Sequence, residues 1–174
     1  KLIELEPEYL LPQQDNPVIG KDEIMADLVL LRDATTYVYE AIYEGLNAGK
    51  DVYELMREIQ LPEEYAHLSQ QHGKVEWTVR ETVNQTGGWF AYRYTSELYP
   101  YRPHEIYPAL VELAGMKKVL KQVDVYLDEG LPVQAMQMVE VALEAEPDNE
   151  QALQRQLKVL EVLLANAKST TNTF

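Results

Sequence analysis

The sequence contains no cysteine and comparatively few basic side chains. A chain without cysteine forms no disulfide scaffold, no cysteine-ligated zinc or iron–sulfur site and no thiol nucleophile. Its 15 Lys and Arg residues stand against 29 Asp and Glu residues, which gives a formal net charge of −14. Because nucleic acids and anionic membranes are bound through clustered basic side chains, we expect neither as a partner.

The chain also lacks a long apolar run. No apolar segment approaches the roughly 20 residues that span a bilayer, and the first residues show no signal-peptide pattern. With 174 residues, 46% of them hydrophobic, the composition is that of an ordinary globular domain. The sequence starts at Lys1 and not at Met, so we expect a piece of a longer, soluble protein. The compartment stays open, with the cytoplasm favoured.

From Lys21 onward the apolar residues recur at helical spacing. Intervals of three, four and seven predict one helix over about residues 22–47, with Gly49 as its left-handed cap. Val29, Leu30 and several tyrosines widen this apolar surface beyond one face. Because one intramolecular contact cannot cover all of it, we predict a homodimer built largely by this helix. The predicted interface residues are Ile24, Leu28, Leu31, Val38 and Ile42.

The rest of the chain is also predicted to be mainly helical. Before the long helix, residues 2–5 and 9–11 are apolar runs closed by prolines, which predict extended pieces in a loop or edge strand. After it, we predict short helices near residues 52–59 and 62–69, a helix over residues 74–84 and four more between Pro103 and Leu164.

One spacing in the last part is more specific. The pattern Tyr126-x3-Gly130-x4-Ala135-x6-Ala142-x4-Pro147 resembles one tetratricopeptide repeat. In such a repeat, small residues let two antiparallel helices approach closely. The sequence therefore predicts an all-α fold with tetratricopeptide-like helical hairpins in its C-terminal part.

No catalytic or metal-binding set is visible. His67, His72 and His104 lack the spacing of a shared metal face, and no carboxylate pair is coupled to a nucleophile or a base. We therefore expect no catalytic residue, no metal ligand, no cofactor and no enzyme activity in this chain alone.

Trp77 and Arg80 are three residues apart and so share one face of the predicted helix. Two interpretations are open. In the first, Trp77 belongs to the core and Arg80 pairs with a carboxylate such as Glu76 or Glu81. In the second, Arg80 points toward an anionic group in a neighbouring pocket, because a guanidinium suits a sulfate or a carboxylate.

Short motifs spread in order over about residues 18–164 resemble the dimerisation domain of alkyl sulfatase-like hydrolases of the metallo-β-lactamase fold. The motifs are Arg32-Asp33-Ala34-Thr35, Leu46-Asn47-Ala48-Gly49, Leu61-Pro62, His72-Gly-Lys-Val75-x-Trp77-x-Val79-Arg80, Gly88-Trp89-Phe90, Thr95-Ser96-Glu97-Leu98-Tyr99, Glu112-Leu113-Ala114-Gly115 and Ala142-Leu143-x3-Pro147-Asp148-Asn149. The resemblance implies a non-catalytic homodimerisation module, attached to an upstream metallo-β-lactamase-like domain that uses zinc to hydrolyse sulfuric esters.

The resemblance also implies site residues. His72, Trp77 and Arg80 would wall one side of the substrate pocket, with His72 replacing a tyrosine of the family. The upstream domain of the family ends in a turn whose histidine is the last zinc ligand. Gln14 stands at that place in this sequence, so the presumed upstream zinc site would lack one histidine.

These inferences give an expected organisation in four parts. Residues 1–20 would be the tail end of a preceding domain or a linker, residues 21–103 a helical dimerisation region, residues 104–168 a tetratricopeptide-like region and residues 169–174 a disordered tail. The alternative function is a tetratricopeptide-type adaptor for protein–protein interaction, which would bind extended peptides as a monomer.

Overall fold

The computed structural model describes residues 1–12, 16–68, 70, 73–88 and 93–167. Within these residues the fold is all-α, as predicted, because seven α-helices carry the structure and the sheet is a pair of two-residue strands. The chain divides into two units, residues 1–89 and 90–174. The predicted four-part organisation remains a prediction, and its tail at residues 169–174 lies outside the described residues.

The first unit begins with a short antiparallel pair. Strand β1 (Tyr9–Leu10) pairs with β2 (Val18–Ile19), with Tyr9 opposite Ile19. The prediction of an edge strand is therefore right for residues 9–11. It is wrong for residues 2–5, where a 3-10 turn (Ile3–Leu5) replaces the extended piece. Glu6 ends this turn in the left-handed conformation.

Three helices complete the first unit: α1 (Lys21–Asn47), α2 (Val52–Glu58) and α3 (Val75–Gly87). Asp51 caps α2 through a capping box with Glu54. The helix predicted over residues 62–69 is shorter than expected, a 3-10 turn at Glu63–Tyr65. The core of the unit consists of Val38, Ile42, Leu55, Ile59 and Val79.

Four further helices form the second unit. They are α4 (Tyr107–Ala114), α5 (Met116–Asp128), α6 (Pro132–Ala145) and α7 (Glu150–Asn166). The helix predicted from Pro103 begins as a 3-10 turn (Pro103–Ile106) and becomes α-helical at Tyr107. Gly115 and Gly130 have positive φ angles of 87° and 71° at the junctions α4–α5 and α5–α6, a conformation that glycine adopts without steric cost.

Small residues let the helices of the second unit approach closely. Ala135, Ala142 and Ala152 are completely buried, at the contacts of α6 with α5 and α7. Arg155 adds a polar link, since its Nε and Nη2 atoms donate to the two carboxylate oxygens of Asp124 at 3.0 and 2.8 Å. This is the packing of antiparallel hairpins, while their likeness to tetratricopeptide repeats stays a prediction. No helix within the described ranges is long and apolar enough to cross a membrane.

Candidate functional site: the apolar surface of helix α1

Helix α1 is too long for its own unit to cover. By the usual rise of 1.5 Å per residue its 27 residues extend about 40 Å, but they join the core cluster only from Val38 onward. In the middle of the helix Leu31 is 59% exposed. Leu28 is half-buried, Thr35 is exposed and Tyr39 is 40% exposed. These residues are three or four positions apart and so form one ridge.

We call Leu28, Leu31, Thr35 and Tyr39 the α1 surface. One of its two polar members, Thr35, makes little demand on a partner, because its hydroxyl donates to the carbonyl oxygen of Leu31 at 2.7 Å. Beside the ridge, Arg32 pairs with Asp33 at 2.6 Å. A partner that covers the ridge therefore leaves the Thr35 donor satisfied, while the Tyr39 hydroxyl would need a hydrogen-bond partner or access to water.

The five predicted interface residues divide into two groups. Ile24, Val38 and Ile42 are 0%, 5% and 0% exposed within this chain, so their side chains have almost no area left for a second copy. Leu28 and Leu31 are the two that the chain leaves available. The residues that share this helical period therefore have two different environments. Those at the two ends of the stripe are buried within the chain, and those in the middle belong to the exposed α1 surface.

The beginning of α1 is anchored by an ion pair. The Lys21 Nζ atom lies 2.5 Å from a carboxylate oxygen of Glu6, which ends the 3-10 turn. The hydrogen bond and the charge of Lys21 lower the pKa of Glu6, and Glu6 in the same way raises the pKa of Lys21. Both side chains are exposed, so we treat the pair as a local link between the first turn and α1.

Trp77 and Arg80 lie on the exposed side of α3. Trp77 is 42% exposed, so it is not a core residue. The Arg80 guanidinium lies 5.6 Å from the ring centre of Tyr53 on α2, and the Lys74 ammonium lies 5.7 Å from the ring centre of Trp77. Both distances are typical of cation–π contacts. Two cations and two rings therefore share one surface of the first unit.

The ion pair considered for Arg80 is not formed. Among the described residues, Arg80 is paired with neither Glu76 nor Glu81 and lies over Tyr53 instead. The third predicted pocket residue, His72, lies outside the described residues, and so does Gln14. In the part of the chain that the structure describes, no three His, Asp or Glu side chains are grouped so that they could hold a metal ion.

Sequence reasoning did not single out the outer side of α7. The sequence predicts a last helix ending near Leu164 but does not show which face is occupied by Leu153, Leu157, Leu160 and Leu164. The structure leaves all four about half exposed. Their intervals of four, three and four residues are the signal that could have separated them from the buried Ala152 and Val159.

Comparison with known proteins places this fold in a class. The sequence matches the family described as alkyl sulfatase dimerisation over residues 51–173. The match spans α2 to α7 and so includes the later part of the first unit and nearly all of the second. The chain belongs to the alkyl sulfatase dimerisation family.

Individual relatives agree with this class. The chain is 29% identical over 133 residues to a linear primary-alkylsulfatase of Pseudomonas sp. (strain ATCC 19151), covering 73% of this chain and 25% of the relative. It is 28% identical over 157 residues to another from Pseudomonas sp., covering 88% and 23%. The chain thus spans about a quarter of the length of these curated relatives.

A solved structure shows the same fold. The stereoselective inverting sec-alkylsulfatase Pisa1 from Pseudomonas sp. matches with a TM-score of 0.82 and 25% sequence identity, covering 94% of this chain and 26% of that protein. A double mutant of Pisa1 matches equally well. The likeness therefore extends over nearly the whole chain, including α1, which lies before the matched family segment.

Proposed function

We propose that this chain is the homodimerisation module of an alkylsulfatase and that the α1 surface is the centre of its interface. The observation that carries the proposal is the exposure of Leu31, at 59%, in the middle of a stripe that is buried at both ends. Membership of a dimerisation family supplies the kind of partner, a second copy of the chain.

The physical argument concerns the cost of exposed leucine and tyrosine. Burying apolar surface is favourable by roughly 25 cal/mol per Å², and a continuous exposed ridge usually marks a contact surface. In a two-fold symmetric dimer the same ridge meets itself. A single straight ridge on a long helix suits this geometry, because the helix of a second copy can lie across it.

A substitution in the ridge tests the proposal. Leu31→Asp places a charge in the proposed interface, where it would be desolvated without a partner, so we expect a large shift from dimer to monomer in sedimentation velocity. Val133→Asp is the matched control, since Val133 is also 59% exposed but lies on α6. A dimer that survives Leu31→Asp as well as it survives Val133→Asp contradicts the proposed interface.

We infer a larger role from the relatives. The parent protein would carry an upstream metallo-β-lactamase-like domain, with zinc and a sulfuric ester as substrate, and this chain would supply assembly and not catalysis. The printed descriptions of the relatives as alkylsulfatases support this arrangement. It implies that zinc and an alkyl sulfate added to this chain alone give no hydrolysis.

Within that arrangement we propose that Trp77 and Arg80, together with His72, form one wall of the substrate pocket. The exposed indole of Trp77 and the cations of Lys74 and Arg80 support the proposal. An amphiphilic anion would find an apolar contact for its chain and a guanidinium for its head group.

The test uses the longer protein that contains this chain. Arg80→Ala should weaken binding of an alkyl sulfate by roughly 1.5–3 kcal/mol, the scale of a hydrogen bond to a charged group, with little change in melting temperature. Arg57→Ala, on α2, is the control for loss of an exposed arginine. If Arg80→Ala lowers only the melting temperature, Arg80 stabilises the α2–α3 contact through Tyr53 and has no pocket role.

A tetratricopeptide-type adaptor remains the alternative function. The antiparallel helices α5, α6 and α7 are compatible with it. It predicts a monomer that binds extended peptides, whereas a dimerisation module associates with itself in the absence of any ligand.

A further inference from the structure

The partner of Arg80 within the chain is an aromatic ring and not a carboxylate. Its guanidinium lies 5.6 Å from the ring centre of Tyr53. Within the described part of the chain it forms no ion pair and donates no hydrogen bond. A ring attracts a cation through its face and accepts none of its N–H groups, whereas a carboxylate accepts hydrogen bonds from them. The N–H donors of Arg80 are therefore available to an oxyanion.

The two acidic residues nearest to Tyr53 in the sequence already have backbone partners. The Asp51 side chain accepts hydrogen bonds from the backbone N–H groups of Tyr53 and Glu54 at 2.8 and 2.9 Å. The Glu54 carboxylate accepts one from the backbone N–H of Asp51 at 2.7 Å. This capping box fixes the first turn of α2, so the backbone that carries the Tyr53 ring is held at two points.

The core of the first unit sets the distance between the two helices that carry Tyr53 and Arg80. Leu55, two residues after Tyr53, is 2% exposed, and Val79, immediately before Arg80, is 0% exposed. Both belong to the same buried cluster, and a close-packed core allows little movement of the helices around it. Tyr53 is 55% exposed and Arg80 is also exposed. The contact between ring and guanidinium is therefore a surface contact on a rigid support.

We propose that Tyr53 is a positioning residue, whose ring holds the Arg80 guanidinium where the anionic head group of a substrate binds. The inference rests on the pocket role proposed above for Arg80. An arginine side chain has many rotamers, and ordering it on binding costs free energy. A ring that already restricts the guanidinium lowers this cost and leaves its charge unpaired. The role belongs to the ring, so the hydroxyl of Tyr53 is dispensable.

The experiment measures binding of octane-1-sulfonate to the longer protein by titration calorimetry, because this anion contains no sulfuric ester bond to hydrolyse. Tyr53→Leu removes the ring and keeps an apolar side chain. It should weaken binding roughly two- to fivefold, the scale of an exposed cation–π contact, and leave binding of the uncharged octan-1-ol unchanged. Tyr53→Phe keeps the ring and should bind the sulfonate like the unmodified protein. Tyr101→Leu is the control for loss of an exposed tyrosine, since Tyr101 is 72% exposed and belongs to the second unit.

A second set of measurements, in protein that carries Arg80→Ala, tests whether Tyr53 acts through Arg80. There Tyr53→Leu should have no further effect on sulfonate binding, because the group that the ring positions is gone. An equal loss with and without Arg80 overturns the proposal, and so does an equal loss in Tyr53→Leu and Tyr53→Phe. Unchanged binding in Tyr53→Leu, with weaker binding in Arg80→Ala, overturns the role of Tyr53 alone. Unchanged binding in Arg80→Ala overturns the pocket role of Arg80 and this inference with it.

Discussion

Gly45 shows at the scale of a single residue how α1 and α2 are held together. A Cβ atom added at Gly45 would lie 2.2 Å from Cδ2 of Leu55, a side chain that is itself 2% exposed. Real side-chain carbons do not come this close, so a side chain at position 45 would force the buried Leu55 to move. The conflict comes from the approach of Leu55 and not from the backbone angle, since the φ of Gly45 is not positive. The absence of a side chain at Gly45 thus lets Leu55 on α2 lie directly against the last turns of α1.

Replacing Gly45 should therefore be costly although alanine favours helices. Gly45→Ala is expected to lower the free energy of unfolding by about 1–3 kcal/mol, the usual cost of overpacking a core, as measured by denaturant unfolding. Gly87→Ala is the matched control, because Gly87 is helical and its added Cβ meets nothing within 4 Å. That change should be neutral or stabilising by up to about 1 kcal/mol. Equal effects of the two substitutions would contradict the packing account.

At the scale of elements, the ends of the helices are set by local chemistry. The Asn149 side chain accepts a hydrogen bond from the backbone N–H of Ala152 at 3.0 Å and so caps α7. The Asn149 amide also donates to Glu146 at 2.7 Å. The cap positions Ala152, which must be small because it is completely buried in the core of the second unit.

Removal of this cap gives a prediction about α7. Asn149→Ala should lower the free energy of unfolding by about 1 kcal/mol, the typical value for a lost N-cap, as measured by thermal or denaturant unfolding. Asn166→Ala, at the other end of α7, removes an asparagine without removing a cap and should change stability by much less. If both substitutions have the same small effect, the hydrogen bond to Ala152 contributes nothing to stability.

Most helices could be predicted from the sequence because their period and end signals agree. The bounds of α1 follow from its apolar spacing. The ends of α1, α4 and α5 follow from the glycines after them, which are Gly49, Gly115 and Gly130. The 3-10 turns at residues 3–5 and 63–65 could not be predicted, since short apolar or proline-led segments have no period. The division of the α1 stripe was also hidden, because spacing alone does not reveal which part of a helix its neighbours cover.

The candidate site was predictable only in part, for a related reason. Trp77 and Arg80 were correctly placed on one helix, but Tyr53, the ring below Arg80, belongs to a different helix and gave no signal in the sequence. The exposed face of α7 was missed because a leucine has the same periodicity whether it faces a core or a partner. Which side chains are exposed, and which lie next to each other, depends on the contacts between helices, and the sequence pattern of a single helix does not reveal those contacts.

At the scale of the whole molecule, net charge opposes the association of two copies and exposed apolar surface favours it. Each copy carries a formal charge of −14, so two copies repel one another over about 10 Å at 0.1 M salt. Association of two copies would therefore depend on apolar contact over short range, which we propose the α1 surface provides. The chain matches about a quarter of the length of its relatives, and in the arrangement that we propose it would supply assembly to a longer protein.

The most direct test of self-association is the mass of the unmodified chain in solution. Sedimentation equilibrium at tens of micromolar and physiological salt, with no ligand present, should give twice the 20.0 kDa of the single chain, with the dimer fraction rising with concentration. A single species of 20.0 kDa at every concentration would contradict the account, and would do so most clearly if that monomer bound extended peptides.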